Sequence, residues 1–120
     1  MSTIEQAYEQ VGGNYQDVLK RLMNEALVRR FMGKFLDDTS FATLKEALEA
    51  KDVDKAFMAA HTLKGVCLNL GFLKLFEPTN EITEVLRAGS LEGTEELFAQ
   101  VEAEYNNVVN ALNSCLQGVQ

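Results

Sequence analysis

The chain contains a single histidine, His61, set in the run Ala59-Ala60-His61-Thr62-Leu63-Lys64-Gly65, with Asn69-Leu70-Gly71 following shortly after. A neutral imidazole can attack a phosphoryl group as a nucleophile. On a helix the residues three and four positions further on lie beside it. Here they are Lys64, a cation able to offset the charge of a phosphate, and Gly65, which has no side chain and leaves the ring open to a second protein. Metal chemistry is poorly served, because there is no second histidine and no Glu-x-x-His pair of the kind that di-iron bundles use. Cys67 and Cys115 are too few and too far apart for a zinc site or a disulfide framework, and both fall at apolar helical positions, so they read as buried thiols.

The elements that must position His61 are helical. Apolar residues recur at helical spacing from end to end, and no segment alternates in the manner of a half-buried strand. Thr3 and Gln6 have capping-box spacing and open a short helix through Ile4, Tyr8 and Val11, interrupted by Gly12-Gly13-Asn14; a second short helix is expected over about 15 to 22. Asn24 is expected to cap a helix that ends at Asp37-Asp38, Thr39 or Ser40 the helix through Phe41, Leu44 and Leu48, and Asp52 the histidine helix over about 53 to 70. Gly71 then terminates that helix. A helix over about 73 to 88 must accommodate Pro78 in its first turn or bend there. The last helix carries Phe98, Val101, Tyr105, Val108, Leu112 and Cys115 at alternating three- and four-residue steps, the spacing of a bundle seam. The expected fold is all-α: an up-down antiparallel four-helix bundle with short additional N-terminal helices packed across one end, formed by residues 1–120 as a single domain.

Composition narrows the function classes. A length of 120 residues with 47% hydrophobic content supports one core and not two. A net charge of -7 with only 11 Lys plus Arg argues against a surface that tracks nucleic-acid phosphates. The N-terminus lacks a secretion signal, and no apolar run approaches the ~18 residues of a membrane span. We therefore expect a cytoplasmic monomer, with Met1 and a full set of helices favouring a freestanding chain.

At about 100° per residue, Ala56, Ala60, Leu63, Cys67 and Leu70 form a core stripe within about 80°. His61 points roughly 130° from its centre, on the same side as Gly65, and is not a core histidine. Met58, Leu68 and Phe72 share that outer face, with Phe57 at its border. Apolar residues around one reactive group suggest a docking surface, although Phe57 and Leu68 could equally be the edge of the core. Gly65 costs about 1 kcal/mol relative to Ala in a helix interior. Either close approach by a partner or tight packing against a neighbouring helix would explain it.

The pattern of His61, Lys64 at plus three, Gly65 at plus four and Gly71 at plus ten resembles the signature of histidine-containing phosphotransfer (HPt) domains, the phosphoryl relays of multistep two-component signalling. The resemblance implies that His61 accepts a phosphoryl group from the aspartyl phosphate of a response-regulator receiver domain and passes it on. It implies a carrier without kinase activity, with receivers or a hybrid sensor histidine kinase as partners and Mg²⁺ supplied by the receiver. Related domains steady the ring with a polar residue of the next helix; counting without a gap from Gly71 places that role on Thr83, with Asn80 and Arg87 one turn to either side. Asn69 matches a polar residue often found near the helix end.

Two other classes fit part of the pattern. Sensor-kinase phospho-acceptor helices usually place an acidic residue directly after the histidine and a proline soon after, whereas Thr62 follows here and Pro78 is distant. A chemotaxis-type phospho-acceptor domain matches the motif better, but no kinase module accompanies it. A helical adaptor in which His61 does no chemistry is the remaining alternative.

Overall fold

Local sequence signals start several of the helices in the computed structural model, which describes residues 3–116. Among these residues the elements are α1 (Ile4–Gln10), α2 (Tyr15–Leu22), α3 (Glu25–Asp37), α4 (Ser40–Glu49), α5 (Val53–Leu70), α6 (Leu73–Arg87) and α7 (Thr94–Leu116). Thr3 and Gln6 form a reciprocal capping box, with the Thr3 hydroxyl accepting from the Gln6 amide and the Gln6 side chain accepting from the Thr3 amide. Asn24 accepts from the Leu27 amide at 2.9 Å and Asp52 from the Lys55 amide at 3.1 Å, each satisfying a donor that the first helical turn leaves unpaired. The start of α4 departs from expectation. Thr39 stands at the cap but its side chain accepts nothing, and Asp38 instead takes the Ser40 amide at 2.7 Å. Pro78 falls in the second turn of α6, beyond the first turn, and the helix runs on to Arg87.

The fold is an all-α four-helix bundle whose first rail is shared by α3 and α4, with α5, α6 and α7 as the other three and α1 and α2 as a short preface. Helix α5 packs between α4 and α6, α6 packs on α7, and α1 lies against α7. The expected stripe of Ala56, Ala60, Leu63, Cys67 and Leu70 is buried throughout. In α7, Val101, Val108, Leu112 and Cys115 are buried, while Phe98 and Tyr105 are half-buried and stack on Phe41. Cys67 and Cys115 are buried free thiols, and desolvation pushes the Cys67 thiol up to about 12.

Gly71 joins this core to the N-terminal helices. Its φ of +72° ends α5 in the left-handed conformation, with the Gly71 amide on Leu68 O and the Phe72 amide on Cys67 O. A Cβ there would stand 2.7 Å from Val18 Cγ2 of α2, and a Cβ on Gly13 would run into the carbonyl oxygen of Gly71. Two glycines therefore let the α1–α2 loop press on the end of the histidine helix. Gly71→Ala combines left-handed strain with this crowding, so urea unfolding is expected to show a loss of at least about 1 to 2 kcal/mol.

Candidate functional site

His61 is exposed near the middle of α5, opposite the stripe that packs into the bundle. Phe57, one turn earlier, is half-buried; one side packs on the core and its ring stacks with the imidazole at 5.8 Å between centroids and 22° between planes. The imidazole has no hydrogen-bond partner among the described residues, and this stacking is its ring contact there.

Lys64 is partly buried, with 24% of its side chain exposed, and Nζ lies 4.0 Å from Oε2 of Glu84 on α6. The same carboxylate oxygen accepts from Arg87 Nε at 3.2 Å. The Arg87 guanidinium in turn lies over the Phe57 ring, 5.0 Å from its centroid. His61, Phe57, Arg87, Glu84 and Lys64 thus form a continuous chain of contacts and helical neighbours along the α5–α6 boundary. A Cβ built on Gly65 would meet nothing within 4 Å, so the glycine is not required by helix packing.

The apolar surface is smaller than expected. Met58 is 64% and Leu68 54% exposed, but Phe72 is 0% exposed. Its ring packs edge-on against Phe35 at 5.2 Å and lies 5.8 Å from Tyr8, so Phe72 belongs to the core and is removed from the docking face. Leu73, at the start of α6, is exposed instead. Thr83 is also buried, and its hydroxyl donates to Thr79 O at 2.6 Å within α6; it does not steady the imidazole. Asn69 is exposed at the end of α5, where its backbone carbonyl, together with that of Leu68, accepts from the Arg21 guanidinium. A cation there complements the negative end of the helix dipole. Glu84 was missed by sequence reasoning. Its three-residue spacing to Arg87 was visible, but its approach to Lys64 joins two helices.

No group of three or more His, Cys, Asp or Glu side chains is placed to hold a metal ion among the described residues. None of the described helices is long and apolar enough to cross a membrane. A groove of about 760 Å³, lined by residues such as Leu48, Lys51, Leu91 and Phe98, contains none of the residues around His61.

The exposed imidazole of His61 thus stands on the outer face of α5, apart from that groove. Residues 30–111 match the family model of the Hpt domain, and the chain belongs to that family. It is a phosphorelay intermediate, a non-catalytic phosphoryl carrier. Every residue of the His61 cluster falls within the matched segment, whereas α1 and α2 lie outside it. No curated protein and no solved structure shows a significant match to the chain.

Proposed function

We propose that His61 is the phospho-acceptor, taking its phosphoryl group from the aspartyl phosphate of a receiver domain in a response regulator or hybrid sensor histidine kinase. The imidazole, with its proton on Nδ1, attacks phosphorus through Nε2. As the Nε2–P bond forms, the P–O bond to the aspartyl group breaks and the carboxylate leaves with its electron pair. The reverse sequence delivers the group to a receiver. The receiver brings Mg²⁺ and the acidic pocket; this chain supplies the nucleophile, the Lys64 charge, and a docking face of Phe57, Met58 and Leu68 around the gap at Gly65. Arg87 assists by holding Phe57, and Asn69 by ending the helix. We place the chain in the cytoplasm as a single monomeric domain, a setting with which its two buried free thiols agree.

The observation that carries this reading is the exposed imidazole beside empty space at Gly65, in a chain of this family. Its test is incubation with purified phosphorylated receivers. Label is expected to pass to this chain from its cognate receiver and back, and ATP alone is expected to give none. Labelling from ATP without another protein would overturn the reading.

Lys64→Ala tests the electrostatic part. A phosphoryl group adds about -1.5 to -2 charges, and a cation one turn away stabilises them. Both transfer to His61 and the phosphohistidine lifetime are expected to fall about fivefold, equivalent to about 1 kcal/mol. Equal rates and lifetimes in the variant would assign Lys64 to the solvated face.

A further inference from the structure

We propose that Glu84 is a positioning residue that holds Lys64 in reserve, and that phosphorylation of His61 exchanges the partner of Lys64 from this carboxylate to the phosphoryl group. The inference rests on His61 as the phospho-acceptor, but not on which protein phosphorylates it.

One oxygen, Glu84 Oε2, serves both cations of the site, at 3.2 Å from Arg87 Nε and 4.0 Å from Lys64 Nζ. The two contacts are unequal. The Arg87 distance is that of a hydrogen bond, and the spacing of Glu84 and Arg87 at i and i+3 supports it within α6. The Lys64 distance is too long for a hydrogen bond, so Lys64 is held by charge alone and its three ammonium donors are not committed to Glu84. Lys64 stands three residues from His61 on α5, the separation at which helical side chains meet. A phosphoryl group on His61 would present three strong acceptor oxygens and more charge than a carboxylate already shared with arginine. Lys64 moves to it, and Glu84 keeps Arg87, whose guanidinium remains over Phe57, the ring on which His61 stacks.

Glu84 thereby tunes the lifetime of the phosphorylated state. By competing for Lys64 it lowers the charge stabilisation available to phosphohistidine and keeps the group easier to give up. With Glu84→Gln the competitor is gone and Lys64 is committed to the phosphoryl group. Glu84 is exposed, so the substitution does not disturb the core.

The experiment loads the purified full chain with phosphoramidate, which needs no receiver. Nε2 of His61 attacks phosphorus, the P–N bond of the reagent breaks, and ammonia leaves after taking up a proton from water. Loss of the group by hydrolysis is then followed by ³¹P NMR: water attacks phosphorus, the Nε2–P bond breaks with its electron pair returning to nitrogen, and inorganic phosphate is released. Glu84→Gln is expected to lengthen the lifetime about threefold, a size in keeping with exposed ion pairs, while Glu84→Asp stays close to wild type. The gain is expected to vanish when Glu84→Gln is combined with Lys64→Ala. An unchanged lifetime in Glu84→Gln, or a gain that persists without Lys64, would overturn the proposal. A chain that shows this coupling after chemical loading but takes nothing from any receiver would keep the role of Glu84 and remove the relay partner; receiver transfer without the coupling would do the opposite.

Discussion

His61→Gln is expected to abolish phosphoryl uptake from a phosphorylated cognate receiver. The wild-type product should be acid-labile and base-stable, because it is a phosphoramidate on imidazole, whereas a phosphate ester on a hydroxyl side chain is stable in acid. Glutamine keeps the polarity and approximate length of the side chain but lacks a ring nitrogen able to form that bond. Since His61 is exposed and its ring stacks on Phe57 away from the core stripe, its replacement leaves the bundle core untouched, and the loss can be read as chemistry. The expected effect is complete, because His61 is the only imidazole in the chain. Label that survives in the variant, or label with the stability of an ester, would place the phosphoryl group elsewhere and remove His61 from the mechanism.

Gly65→Gln should separate stability from function. Nothing lies within 4 Å of the Cβ position, and the glycine sits well inside an 18-residue helix at ordinary helical φ. A better helix former at an exposed helical position stabilises by up to about 1 kcal/mol, so thermal unfolding is expected at an unchanged or higher temperature. The added side chain would stand one turn from His61 and obstruct an approaching receiver. Receiver binding and phosphotransfer are expected to fall at least about tenfold, a loss of roughly 1.4 kcal/mol. Normal transfer in a stable Gly65→Gln variant would remove this part of α5 from the interface. A clear loss of stability would mean that the glycine serves packing instead.

The misplaced residues share a cause. Continuing the rotation of α5 two residues beyond its end puts Phe72 on the outer face, but Gly71 at φ +72° breaks that rotation and turns the chain so that Phe72 enters the core between Phe35 and Tyr8. Counting from Gly71 points to Thr83 for the His61 ring, but Thr83 is buried and its hydroxyl is spent within α6 on Thr79 O. Glu84, next along α6 and rotated by about 100°, faces Lys64, while Thr83 turns inward. A rotation of about 100° per residue is enough to separate an inward side chain from one that faces the neighbouring helix.

The sequence by itself determined the parts of this protein governed by interactions within a turn or two of chain. Helix caps at Thr3, Asn24 and Asp52, the buried stripe from Ala56 to Leu70 and the outward direction of His61 follow from spacing, because side chains three and four apart share a face whatever surrounds the helix. Only the tertiary structure decided how α6 is phased against α5, and with it the choice of Glu84 as the link between Lys64 and Arg87. It also decided that Gly13 meets the Gly71 carbonyl and that Phe72 fills the space beneath. Those contacts depend on the phase of one helix against another and on the turn that joins them, and neither is encoded by the periodicity of a single helix.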